Sequence, residues 1–202
     1  MAEPRAADDL WVFGYGSLMW RPGFDFVERR DATVRGYRRA LCVYSHVHRG
    51  TVETPGLVLG LDRGGACRGV AFRVEAARRE ATLDYLRARE QATAVYREIL
   101  LPARLRGGGT VSAVAYVADR RHVQYAGRLD RPELARLVRQ GVGISGPNVE
   151  YVLNTCAHLV ELSIRDATFE WLAREFGDPA ETDAAQAGRG SGGENQGGKK
   201  QG

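Results

Sequence analysis

The sequence predicts an α+β fold, with strands supplied mainly by the early half of the folded span and helices by the late half. Two observations carry this. Segments rich in β-branched and aliphatic residues, bounded by glycines, crowd residues 10–117, whereas the best-capped segments with helical periodicity follow residue 130. Strands and helices do not alternate regularly, which argues against a doubly wound sheet. At 202 residues, 44% hydrophobic and 27% charged, the chain has enough apolar material for one sizeable core and not for two.

Taken in order, residues 10–13 (Leu-Trp-Val-Phe) form a short apolar run stopped by Gly14. Residues 32–44 and 57–61 are further strand candidates. In residues 66–74, Cys67, Arg68 and Arg73 interrupt Val70, Ala71, Phe72 and Val74. Residues 76–87 read as an amphipathic helix using Ala76, Leu83 and Leu86. Strands at 96–101 and 111–117 flank Gly107-Gly108-Gly109, a hairpin signal, so six strands are expected in all.

Helix signals dominate the remainder. Asp130-Arg131-Pro132-Glu133 is a capping box with proline in the first turn, followed by Leu134, Leu137 and Val138 and a stop at Gly141. A helix over 148–162 puts Val152, Cys156, Leu159 and Val160 on one side. A last helix, capped by Asp166, carries Phe169, Leu172 and Phe176. Residues 177–202 hold eight of the 25 glycines and nothing apolar but alanine, so ordering them would lose entropy without burial to offset it. The expected organisation is a flexible start over 1–9, one folded domain over 10–176 without linker or repeat, and a disordered Gly-rich tail over 177–202.

Composition narrows the function classes. Twenty-nine basic against 25 acidic residues leave a net charge of +4, and the arginines are scattered from Arg5 to Arg189. They read as solvated faces, and without a basic stripe neither nucleic acid nor an anionic membrane is expected as a partner. No apolar run approaches the ~18 residues of a membrane span, and the first nine residues hold no apolar signal core. Cys42, Cys67 and Cys156 form no CxxC pair, which suits a reducing, cytoplasmic setting.

Several motifs admit a chemical role beside an ordinary structural one. Val12-Phe13-Gly14-Tyr15-Gly16-Ser17-Leu18 is a strand ending in a glycine turn, where missing Cβ atoms let successive N–H groups approach an anion or oxyanion. On glycine spacing alone a short Gly-x-Gly is more often an ordinary turn. Gly141-Val-Gly-Ile-Ser-Gly146 matches a dinucleotide fingerprint by letter, yet it follows a helix instead of a strand, so a helix-to-helix loop ending at Ser145, Gly146 and Asn148 is expected. His46 and His48 share one face of a strand near Glu53, but no third histidine accompanies them, and neither metal nor cofactor is expected. The cysteines read as inert buried thiols, and Ser17 has no evident partner base. Glu90 lies at a helix-to-strand junction, where a carboxylate can project into a cavity and have its pKa raised, although an exposed helix-end glutamate is the commoner case.

Together these segments resemble the ChaC-type γ-glutamylcyclotransferases, enzymes that act on glutathione. The likeness is carried by the opening Val12-Phe-Gly-Tyr-Gly-Ser-Leu-Met-Trp20, by His48-Arg49-Gly50-Thr51 with Pro55-Gly56, and by Gly69-Val70-Ala71-Phe72. It continues through Arg89-Glu90 with Tyr96 six residues on, Tyr125 in a Gln-Tyr-Ala-Gly stretch, and Gly143-Ile-Ser-Gly-Pro-Asn-Val-Glu-Tyr151. These blocks come in the family's order and span nearly the whole folded unit. The resemblance implies a small mixed β-barrel with helices outside, a substrate loop at Tyr15, Gly16, Ser17 and Leu18, and a single catalytic glutamate at Glu90. One departure is Ala94-Val95 where the family often carries glycine before Tyr96, which leaves the backbone path of that loop open.

The chemistry so implied is cleavage of glutathione to 5-oxoproline and cysteinylglycine without a cofactor. The glutamyl α-amine attacks its own γ-carbonyl, so nucleophile and electrophile already share one molecule. Glu90 would act as base and then acid, Arg49 as a carboxylate clamp, and Tyr96 and Tyr125 as groups that orient Glu90 or close the pocket. The amides of residues 15–18 suit either the oxyanion or the substrate α-carboxylate. Two alternatives stand beside this expectation: ring closure of other γ-glutamyl amino acids or amines, and a non-catalytic ligand-binding module using the same cavity.

Overall fold

The structure, a computed structural model, describes residues 9–90 and 94–177. The expected flexible start and Gly-rich tail therefore lie, apart from Asp9 and Gly177, outside the described residues. Five strands form the main sheet: β1 (Leu10–Gly14), β2 (Glu28–Ser45), β3 (Gly56–Val74), β4 (Tyr96–Leu105) and β5 (Thr110–Ala118). They close into a barrel in the order β1-β3-β2-β4-β5, and β1 and β3 both meet β5 in parallel. The other pairings are antiparallel, so the barrel is mixed, and closure removes the open edges that invite aggregation.

The six expected strands become five because residues 57–61 and 66–74 belong to one strand, β3. The Asp62-Arg63-Gly64-Gly65 stretch reads locally as a turn. In the fold, Gly64 (φ 106°) and Gly65 (φ 70°) take left-handed conformations that let β3 bend while it stays paired with β2. Pairing runs from Glu28 opposite Arg73 to Ser45 opposite Gly56, with register shifts between Arg35 and Tyr37 and between Leu41 and Val43. Strand β4 also runs past the expected end through Pro102, where a missing N–H is tolerated because pairing with β2 begins only at Ala103.

Helices α1 (Arg79–Glu90), α2 (Arg131–Gln140), α3 (Asn148–Glu161) and α4 (Ala167–Phe176) pack outside the barrel. The Asp130 and Asp166 caps form as expected, accepting from Glu133 N–H and from Thr168 N–H respectively. The expected helix over 76–87 starts instead as a single 3-10 turn, Ala76–Arg78, and runs on to Glu90. The loop before α3 contains a two-residue ladder of β6 (Val142–Gly143) and β7 (Gly146–Pro147). Asn148 does not cap α3; its buried side chain accepts from Leu57 N–H at 2.6 Å and donates to Leu57 O at 2.8 Å, pinning the helix to β3.

The core has two parts that bear on function. One joins barrel residues such as Phe13, Leu57, Leu61 and Phe72 to Leu137, Val152, Leu159, Phe169 and Leu172 of the outer helices. The other buries Leu83 and Leu86 of α1 against Leu10, Val12, Val114 and Tyr116. Burial of Leu86 alone, at 0% exposure, contributes about 1.5–3 kcal/mol. The three cysteines are free and buried. Among the described residues no helix is long and apolar enough to cross a membrane.

Candidate active site

The chain leaves the barrel at Gly14 and turns through Tyr15 and Gly16 into a single 3-10 turn, Ser17–Met19. The first N–H groups of such a turn, here Ser17 and Leu18, have no acceptor within it. A buried arginine holds the turn from below: Arg39 donates from Nε to Tyr15 O at 2.6 Å and from Nη2 to Arg68 O at 2.7 Å. It also lies 3.5 Å from Asp166. Arg39 thereby departs from the reading of the arginines as solvated faces, because its fork is spent on buried backbone carbonyls.

Helix α1 approaches the same turn from the side. Leu83 and Leu86 anchor it over β1 and β5, so its last residue, Glu90, arrives where β1 ends. A third wall comes from Leu59 in β3 and two tyrosines that bind its backbone. Tyr96, the first residue of β4, donates to Leu59 O at 2.5 Å, and Tyr151 of α3 accepts from Leu59 N–H at 3.2 Å. The crevice so formed is lined by Tyr15, Gly16, Ser17, Leu18, Val58, Leu59, Glu90, Tyr96 and Tyr151. It encloses about 80 Å³, well below the roughly 300–1,000 Å³ of a drug-sized pocket. Larger hollows of about 950 Å³ on the outer barrel wall and about 570 Å³ beside α3 and α4 carry none of the eight residues that the sequence nominates for the site.

Burial sets the protonation states here. The Glu90 side chain is 18% exposed, and desolvation raises its pKa above the ordinary 4.5 against the opposing pull of Arg89. Desolvation also holds Tyr15 and Tyr96 well above 10.0 and pushes Tyr151 up to about 12, so all three keep their protons. The site thus combines one carboxyl of raised basicity, neutral hydroxyls and, among the described residues, backbone N–H groups of the turn at Ser17 and Leu18 with no acceptor within that turn.

Comparison with known proteins places this chain in a family. The family model described as ChaC-like protein matches residues 10–176. The chain belongs to the ChaC-like family. The glutathione-specific gamma-glutamylcyclotransferase of Escherichia coli (strain K12) is 35% identical over 157 residues, covering 78% of this chain and 68% of the relative. Glutathione-specific gamma-glutamylcyclotransferase 1 of Homo sapiens is 35% identical over 175 residues, covering 85% and 77% respectively. In fold, the chain is similar to the crystal structure of the yeast gamma-glutamylcyclotransferase specific to glutathione, with a TM-score of 0.74 at 20% identity, covering 84% of this chain and 98% of that one.

Within this ChaC-like chain, six of the eight residues singled out for the site meet in the crevice: Tyr15, Gly16, Ser17, Leu18, Glu90 and Tyr96. Arg49 and Tyr125 do not line it. Arg49 donates to Pro147 O at 3.1 Å and lies over the Tyr151 ring at 5.5 Å, so it reaches the crevice only through that ring. Tyr125 donates to Asp62 at 3.1 Å and sits beside Arg120, on a buried carboxylate that also binds Arg38. The glycine-rich segment before α3 spends its N–H groups on the chain, Ile144 on Val47 O and Ser145 on His48 O, holding the strap that carries Arg49. His48 meets Ser145 at 2.9 Å. Sequence reasoning alone does not assign Tyr151, Leu59 or Arg39 to the site. Tyr151 closes the last family block and is within reach by that signal; Leu59 acts through its backbone and Arg39 through burial, which no local pattern announces.

Proposed function

We propose that this chain is a glutathione-specific γ-glutamylcyclotransferase that releases 5-oxoproline and cysteinylglycine, working in the cytoplasm without a cofactor. The observation that carries the reading is the meeting of a buried, pKa-raised carboxyl, Glu90, with the Tyr15–Leu18 turn in one crevice. The names of the relatives supply the substrate, and the reaction suits what the crevice contains.

The γ-glutamyl unit enters with its α-amine and γ-carbonyl side by side. After the ammonium loses one proton to solvent, the amine nitrogen bonds to the γ-carbon and the carbonyl oxygen takes up negative charge. Glu90, ionised, accepts the second proton from the attacking nitrogen as the five-membered ring closes. The same proton then passes to the departing cysteinyl nitrogen as the γ-amide bond breaks. Atoms balance with no water consumed and no protein nucleophile required. Backbone N–H groups of Ser17 and Leu18 would stabilise either the oxyanion or the substrate carboxylate, and one preorganised oxyanion donor is typically worth about 2.7–4 kcal/mol of barrier. Tyr96 and Tyr151 keep the opposite wall rigid.

Incubating the purified chain with glutathione and measuring 5-oxoproline and cysteinylglycine tests the reading; their absence at high protein concentration removes it. A second reading, cyclisation of other γ-glutamyl amides, is favoured by one observation. A crevice of about 80 Å³ has room for little more than the shared glutamyl end, so the leaving group would be less surrounded. Turnover of γ-glutamyl-alanine beside glutathione separates the two.

A further inference from the structure

Arg89 precedes Glu90 at the end of α1, and adjacent helical side chains do not normally face each other. Here they do. Arg89 Nε lies 3.2 Å from Glu90 Oε1. Its Nη2 donates to Ser17 Oγ at 3.0 Å, and its Nη1 lies 2.8 Å from Arg21 O, 3.1 Å from Pro22 O and 3.1 Å from Tyr85 Oη. One guanidinium therefore joins the carboxylate, the hydroxyl of the glycine turn and the backbone beyond that turn. The planar fork matters: a lysine at this place could offer one compact charge but could not span these acceptors.

We infer that Arg89 is a positioning residue for Glu90, its guanidinium tying the carboxylate to Ser17 and to the backbone at 21–22 so that base and substrate turn keep one separation. The inference rests on the reading of Glu90 as the proton carrier. Proton transfer needs the carboxylate within hydrogen-bond reach of a nitrogen held by the turn; the packing of Leu83 and Leu86 brings the two elements together, and Arg89 links the carboxylate to the turn directly. Glu90 is also surrounded by Tyr15 after β1, Tyr96 on β4, Tyr116 on β5 and Tyr151 on α3, all neutral near pH 7. The charge acting on it is that of Arg89, which favours the ionised form against burial.

The test uses the full chain with Arg89→Gln, Arg89→Lys and Ser17→Ala, following glutathione kinetics across pH and titrating the Glu90 carboxyl by ¹³C NMR. Arg89→Gln is expected to lower kcat by about 10- to 100-fold with little change in KM. It should also move both the acid limb and the Glu90 titration to higher pH. Arg89→Lys keeps the charge, so the titration stays near wild type while kcat remains low. Wild-type kcat with an unmoved titration in Arg89→Gln, or a loss of thermal stability alone, overturns the inference. If Arg89→Gln does not fold, Ser17→Ala decides: a severalfold fall in kcat at unchanged Glu90 titration supports the tie, and unchanged kcat refutes it. If the wild-type chain makes no 5-oxoproline, the proposed function falls, and the Glu90 titration in the Arg89 variants still decides whether the pair is coupled.

Discussion

Tyr96 and Tyr151 hold one residue between them: the first donates to Leu59 O at 2.5 Å and the second accepts from Leu59 N–H at 3.2 Å. Strand β4 and helix α3 are thereby fastened to β3 at the wall of the crevice. Tyr96→Phe should lower stability by about 1–3 kcal/mol, because it strands a carbonyl in a buried wall, and should lower kcat as that wall loosens. Tyr125→Phe gives the contrasting result. It removes a bond to Asp62 outside the crevice, so stability falls while KM for glutathione stays at the wild-type value. Urea unfolding and steady-state kinetics on both variants check the pair.

Glu90→Gln should preserve the fold and reduce turnover by about 10²- to 10⁴-fold or more. Its effect on stability carries a sign that can be worked out. The folded-state pKa is raised above 4.5 by burial, so above that pKa the native chain holds out of water a charge that the unfolded chain keeps solvated. Glutamine removes that penalty, and the variant should be the more stable at neutral pH. As pH falls through the folded pKa the wild-type carboxyl takes up its proton, and below 4.5 the difference vanishes. Melting curves over pH 4 to 8 check this, and a variant less stable throughout would contradict it.

Gly69→Ala should disable the site from a distance. A Cβ at Gly69 would overlap the carbonyl oxygen of Gly14 and lie 2.8 Å from Phe13 Cζ. Gly14 is the last residue before the Tyr15 turn, so relief of the clash shifts the turn itself. The expected cost is about 1–3 kcal/mol of stability, with kcat reduced by about tenfold or more. Circular dichroism melts and kinetics on one preparation check both parts.

Ala94→Gly should stabilise. Ala94 sits at φ 54°, in the left-handed region, where a side chain costs roughly 1–2 kcal/mol and glycine gives back about 0.5–1 kcal/mol in chain entropy. A gain of about 0.5–1 kcal/mol in denaturant unfolding is expected. The departure from glycine before Tyr96 thus leaves the backbone path glycine-like, with alanine bearing the strain.

What is legible locally is what local rules govern. The Asp130 and Asp166 caps, the stop at Gly141 and the hairpin turn at Gly107–Gly109 all form where the sequence places them. The continuity of β3 is hidden because a glycine pair bends a strand and ends a strand with the same letters. The role of Arg39 is hidden because an arginine on a strand looks solvated until the fold buries it.

By itself the sequence determined the helices, most of the strands and, through ordered motifs, the family and the candidate glutamate and glycine turn. Only the tertiary structure decided which of those residues share a crevice. It gathered Glu90, Tyr96 and residues 15–18, added Tyr151 and Leu59, and set Tyr125 on Asp62 and Arg49 on the far side of a ring. The reason is physical: caps and turns close over a few residues, whereas the crevice exists because Leu83 and Leu86 bury α1 over β1 and β5 and bring Glu90 to a turn far from it in sequence.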